Sequence, residues 1–173
     1  MNSLLQKKQL ENMMKEPHPG KRVGIVRLCM LKEERALYGM EQITRAEQAV
    51  DMVSPLLMMA DRELMVVMSL SVNMEPLAVE VAAVGGLAGC QVDVRNIFKH
   101  AVLGNANYVM CFYNHPFGTP EPSQEDCLIT ERIRQAGEIL GMPLVDHIII
   151  GRNGFYSFRE NGELEQDKTD YAA

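Results

Sequence analysis

The chain has 173 residues, 47% of them apolar, and a net charge of −6. That length and composition suit one domain with a real core, and the acidic balance excludes a surface built as a whole to attract nucleic acid, while leaving room for a local basic patch. No apolar run is long enough to span a bilayer, and MNSLLQKKQLENMMK lacks a signal-peptide core, so a cytoplasmic protein is expected.

Residues 1–20 close on EPHPG, a chain breaker, and read as a flexible extension with one short helix. The folded domain is expected over 21–162, with a polar, acidic tail over 163–173 that begins to fray near Glu160. KRVGIVRLCM (21–30) reads as a strand with Val23, Ile25 and Cys29 on one face. Thr44-Arg45-Ala46-Glu47 has capping-box spacing and opens a helix toward Met59, which Pro55 is expected to kink or end early.

LMVVMSLS (64–71) is apolar without helical period, as a strand buried on both faces would be, and LAVEVAAV (77–84) is its expected partner, stopped by Gly85-Gly86. Asp93 is placed to cap a helix through Ile97, Ala101 and Leu103 that ends at Gly104. YVMCFY (108–113) is a third core strand. A helix follows from Gln124 to Leu140, with Ile129, Ile133, Ala136 and Leu140 as its apolar stripe and Gly141 as its stop. PLVDHIII is a strand, and RNGFYSF turns back through Asn153-Gly154 as a hairpin. Strands alternate with helices and finish in a hairpin, which predicts an α/β fold with a mixed sheet.

The cysteines at 29, 90, 111 and 127 form no C-x-x-C pair. Cys29 and Cys111 read as small core residues, and neither a zinc ribbon nor a disulfide scaffold is expected. The methionines at 52, 58, 59, 65 and 68 read as core packing. Asp146-His147 has no paired nucleophile, and His100 and His147 are expected to be structural.

YNHPFGTPEPSQED (113–126) joins a strand end to a helix start, a position where polar groups converge and loops carry function. His115 is a metal-capable imidazole, and Asp126 is a carboxylate in the helix's first turn. Ser123-x-x-Asp126 before an apolar stripe is also close to a capping box, and spacing alone favours that explanation. One histidine and one aspartate do not make a zinc site.

The same stretch, NHP-x-G-x-P-x-PS-x-x-D followed by LITERIRQAGEILGMPLVDHIIIGRNGFYSF, resembles the RadC family of bacterial JAB/MPN domains. DREL-MVVMSL resembles that family's Asp-Arg-Glu strand, and VGGLAGCQVDVRNIFKHAVLGNANYVM its strand end, helix and core strand. KRVGIVRLCMLKE resembles the start of short RadC-like proteins often carried on mobile elements. The resemblance runs from Lys21 to Gly162. It implies the MPN fold, a mixed sheet flanked by helices with a deaminase-like architecture. Longer RadC proteins carry a DNA-binding helix-hairpin-helix region, and nothing here resembles it.

The JAMM motif of such domains is Glu, then His-x-His-Pro-x6-Ser-x2-Asp, with zinc on the two histidines and the aspartate. The resemblance makes Glu63 the general base, Ser123 the stabiliser of a tetrahedral intermediate, and His115 and Asp126 metal ligands. Tyr113 stands in the first histidine position. A neutral phenol, with a pKa of about 10, is a poor zinc ligand. Phe117 stands where the family has a small serine and is expected to narrow the pocket.

Zinc is thus the only cofactor implied, and Tyr113 counts against it. Two readings follow. One is a non-catalytic or weakly active binding module for a protein or peptide partner, linked by resemblance to DNA repair or mobile elements. The other is a zinc hydrolase of amide or isopeptide bonds. Ligand count favours the first. Strong autonomous nucleic-acid binding and membrane association are not expected, and the sequence leaves substrate and oligomeric state open.

Overall fold

The protein is described from a computed structural model covering residues 7–8, 11–12, 15, 24–31, 41–57, 60–86 and 90–164. The helices described along their whole length are α1 (Ala46–Leu57), α2 (Val94–Leu103) and α3 (Gln124–Leu140), and residues 7–8 and 11–12 are also helical. The strands are β1 (Leu64–Leu70), β2 (Pro76–Val84), β3 (Tyr108–Asn114), β4 (Leu144–Gly151) and β5 (Gly154–Ser157). They form one sheet in the order β2-β1-β3-β4-β5. β3 and β4 run parallel, and every other neighbouring pair is antiparallel.

β1 and β3 are buried on both faces, as their unbroken apolar runs require. One face packs against α1 through Ala49, Val53 and Leu57, which meet Val66, Met68 and Phe112. The other face packs against α2 and α3 through Ile97, Phe98 and Ile133, which meet Met65, Cys111 and Tyr113. Each fully buried side chain of this size contributes roughly 1.5–3 kcal/mol, and together they hold the layers in place. α2 begins at Asp93, whose carboxylate accepts from Arg95 N, and ends at Gly104, as expected.

Several expectations are corrected. Gly24–Leu31 forms no strand; Ile25, Val26, Leu28 and Leu31 are exposed, and Cys29 is exposed instead of buried. An apolar run becomes a strand only where a neighbour completes its hydrogen bonds, and among the described residues none does. Residues 21–23 lie outside the description. α1 is opened by Gln48, not Glu47: Gln48 Oε1 accepts from Thr44 N, Thr44 Oγ1 and Arg45 N. Pro55 is tolerated within that helix, which runs to Leu57; Met58 and Met59 lie outside the description.

Of the stripe expected on α3, Ile133 is fully buried, Ile129 and Ala136 pack partly buried against the same core, and only Leu140 is exposed; the buried positions also include Asp126, Thr130 and Gly137. The hairpin pairs Gly151 with Gly154 and therefore turns at Arg152-Asn153, one residue early. Order also persists beyond Glu160: Glu163 N donates to Phe158 O at 2.9 Å, and Leu164 is buried in the core. The chain from 165 lies outside the description, as do most of residues 1–20.

Candidate functional site

The register of β1 on β3 sets Met65 opposite Tyr113. Glu63, just before β1, is thereby carried to the C-terminal end of β3. Its backbone is pinned on three sides. Asn114 Oδ1 accepts from Leu64 N at 2.6 Å, Asn114 Nδ2 donates to Arg62 O at 3.2 Å, and Gly85 N donates to Glu63 O at 2.7 Å. The Tyr113 hydroxyl donates to Glu63 Oε2 at 2.9 Å. Burial pushes the phenol well above its usual range, and the Glu63 carboxylate adds to this, so Tyr113 stays neutral.

The second half of the site is the loop between β3 and α3. His115 N donates to Ile150 O at 2.8 Å, and Arg152 N donates to Gly118 O at 3.2 Å, so the loop lies down on the end of β4. Gly151 makes this possible: a Cβ there would stand 2.5 Å from Pro120 N. His115 Nδ1 lies 2.9 Å from Thr119 O, a carbonyl that only accepts, so Nδ1 carries the proton. Nε2 faces Asp126 Oδ2 at 3.4 Å.

Ser123 caps α3 in a complete box. Its N–H and hydroxyl donate to Asp126 Oδ2 at 2.8 and 2.7 Å, and its Oγ accepts from Asp126 N at 3.1 Å. The capping explanation and the His115–Asp126 pairing thus hold together, because one carboxylate oxygen serves both. The Asp126 contact raises the His115 pKa against the effect of burial. Burial opposes ionisation of Asp126, but His115 and Ser123 outweigh it and hold the carboxyl below its usual range.

Behind the loop, Thr130 Oγ1 donates to Asp126 O at 2.6 Å and lies 2.6 Å from His147 Nδ1. With the hydroxyl proton given to the carbonyl, Nδ1–H must be the donor to Thr130. His147 is fully buried and stacks on Phe158, and burial pushes its pKa down to about 4. It lies directly behind the site.

The structure therefore brings Glu63, Tyr113, His115, Ser123 and Asp126 onto one cleft of about 1320 Å³. Phe117 does not narrow this cleft. It is 74% exposed on the rim, with the Arg152 guanidinium 5.7 Å from its ring centre. Sequence reasoning missed Asn114, Cys90 and Gly151. Cys90 lines the cleft beside Tyr113, and burial, then the Glu63 charge, raises its pKa, so it stays a thiol. Asn114 stood in the sequence only as part of the NHP motif, and nothing local marked Gly151.

The donors present do not fit a catalytic zinc centre, which takes three protein ligands and an open position. His115 and Asp126 supply two, and the phenol between them and Glu63 is neutral and turned to the carboxylate. Among the described residues no group of three or more His, Cys, Asp or Glu side chains is placed to hold a metal ion. None of the described helices is long and apolar enough to cross a membrane.

Comparison with known proteins agrees with this architecture. Residues 43–163 match the model of the RadC-like JAB domain. A UPF0758 protein of Thermotoga maritima is 45% identical over 104 residues, which is 60% of this chain and 47% of that protein. One from Listeria monocytogenes is 37% identical over 143 residues, covering 83% of this chain and 60% of the relative. One from Salinibacter ruber is 36% identical over 124 residues, covering 72% and 53%. The chain thus spans roughly half the length of the curated relatives it matches. With the family model matching most of its described length, and with the mixed sheet between helices that such domains have, the chain belongs to the RadC-like JAB domain family.

Proposed function

We propose that the domain uses its cleft as a binding pocket for a protein or peptide partner, and that it is not an efficient zinc hydrolase. The Tyr113–Glu63 hydrogen bond of 2.9 Å carries this reading. A general base needs a free lone pair within reach of the proton it takes. Here Oε2 of Glu63 is held by the phenol, which leaves Oε1 as the oxygen free to act as a base, and the same phenol stands where the third zinc ligand would. His115 and Asp126 face each other, and Ser123 is engaged in the helix cap.

The cleft itself persists, polar at its floor and flanked by exposed Phe117 and Leu128. Convergent polar groups beside apolar surface are what a binding site needs. The net charge of −6 argues against direct DNA binding, so a role in DNA repair or in mobile elements would run through a protein partner.

Elemental analysis and competition titration of the untagged protein test this. The expected result is no zinc above background in the wild type, and at least about tenfold tighter binding in Tyr113→His, where a third ligand is restored. Stoichiometric, tight zinc in the wild type would overturn the reading and favour the amide or isopeptide hydrolase, with Glu63 as its base.

A further inference from the structure

We infer that the groove between α2 and α3 is the seat of this chain's own N-terminal helix, residues 7–15. The groove has a volume of about 680 Å³, and its walls include Leu28, Phe98, Val102, Ala136 and Ile139. Arg95 and Lys99 also line it, but their charged ends are taken by Asp93 and Asn96, so they offer the groove their aliphatic stems. Val102 is 52% and Ile139 86% exposed. Contiguous apolar surface of this kind marks a contact site.

The chain itself leads to this groove. Leu28 stands in its wall, and two residues on, Met30 reaches the end of α2, with its Cε 3.7 Å from where a Cβ on Gly104 would stand. The residues before Leu28 are therefore tethered at the groove. Upstream, residues 7–8 and 11–12 are helical, and Lys15 N donates to Asn12 O at 3.1 Å, which carries the turn on to Lys15. Lys7, Lys8, Glu11 and Asn12 are all exposed and share one face of that helix. A helix through these positions sets Leu10 and Met13 on the opposite face. A polar face in water and an apolar face opposite are what a helix in a groove requires.

Tethering decides between this helix and a free partner. Asn12 and Leu28 are sixteen residues apart in the chain. A flexible stretch of that length spans about 20–24 Å, enough to double back along α2, whose ten residues measure about 15 Å. EPHPG lies within the stretch and ends any helix that enters it, so the chain can reverse there. Linked in this way, the helix meets the groove at an effective concentration on the order of millimolar. A contact of a few apolar side chains, too weak to hold a free peptide, is then enough to keep the groove filled.

The test is hydrogen exchange on the full chain and on Ile139→Glu. Ile139 lies outside the core, so the variant is expected to keep the slow amides of β1 and β3. In the wild type, the amides of residues 8–14 are expected to exchange at least about tenfold more slowly than in a free peptide of the same sequence, which is too short to hold a helix alone. Ile139→Glu is expected to abolish that protection. Leu10→Glu, which cannot unfold the domain from the arm, is expected to do the same. An unprotected wild-type arm overturns the proposal, and so does protection that survives Ile139→Glu, which would seat the helix elsewhere. A disulfide between Met13→Cys and Ile139→Cys, made with the exposed Cys29 and Cys127 changed to serine, supports the contact directly if it closes within one chain. A disulfide that joins two chains overturns it and gives the groove to a second copy.

Discussion

Tyr113 and Glu63 stand fifty residues apart in the chain, and the phenol of one donates to the carboxylate of the other at 2.9 Å. The contact fixes two side chains that the rest of the cleft surrounds. Tyr113→Phe removes the donor and leaves a partly buried carboxylate without it. Hydrogen bonds to charged groups are worth about 1.5–3 kcal/mol, and the partial exposure of Glu63 points to the lower end, near 1.5 kcal/mol. Urea unfolding at neutral pH measures this. A loss under about 0.5 kcal/mol would show that water takes the place of the phenol.

Asn114 holds the backbone on both sides of Glu63, through Leu64 N and Arg62 O. It is 3% exposed, so water cannot easily replace it. Asn114→Ala removes both bonds and orphans one donor and one acceptor, at an expected cost of about 2–3 kcal/mol. The amide of Leu64 should then exchange with solvent much faster than in the wild type. If stability falls while that amide keeps its protection, the loss comes from the cavity and not from the clamp.

What the sequence disclosed of this site follows from range. The caps of α3 were legible because each is local: Ser123 and Asp126 bond each other across the first turn, and Gly141 stops the helix where it stands. β1 and β3 were legible because burial on both faces leaves an unbroken apolar run. Glu63 entered only through the family resemblance, since its place depends on the pairing of β1 with β3. Nothing local distinguishes the carboxylate of Glu63 from that of Asp61. Over its described residues, 24–30, the strand expected at 21–30 did not form, for the converse reason: its apolar residues satisfied the local rule, but edge pairing is a property of the partner. The apolar members of the α3 stripe were legible from Ile129 to Ala136, and what the hydrophobic period missed is its two buried polar members. Asp126 and Thr130 face inward to be bonded by Ser123, His115 and His147, a reason that no hydrophobic period can encode.

Gly151 lies where the loop carrying His115 crosses the end of β4. A Cβ added there would stand 2.5 Å from Pro120 N and 2.7 Å from Thr119 C, both backbone atoms that cannot swing aside. Gly151→Ala must therefore lift the loop, at an expected cost of about 1–3 kcal/mol. Thr119 O would move with it, and His115 would lose the acceptor for Nδ1. The His115 imidazole resonances should shift in the variant, while those of His100, on α2, stay in place. Unchanged His115 resonances would mean that the loop absorbs the methyl without disturbing the cleft.

Asp146 and His147 are adjacent on β4, and burial moves their titrations in opposite senses. Burial pushes the Asp146 carboxyl up to about 6, against hydrogen bonds from Ser157 Oγ and Arg159 N. Its folded pKa thus lies above the unfolded value of about 3.9, so its stabilising contribution is present below about pH 4 and is lost as pH rises through about 6. His147 is pushed down to about 4 by burial. Its contribution is present above its unfolded value of about 6.5 and is lost as pH falls through about 4. Over the window between, the two slopes oppose each other and largely cancel. Asp146→Asn removes one slope while keeping an acceptor for Arg159 N. Relative to wild type, the variant should gain on the order of 2–3 kcal/mol as pH rises from about 4 to 7. On its own it should become acid-sensitive, because the His147 slope is unmasked. Any cost of re-pairing Ser157 is the same at every pH, so the pH-dependent part of the difference belongs to Asp146. Urea titrations across that range measure it, and a difference that does not vary with pH would show that Asp146 ionises in the fold as it does in the unfolded chain.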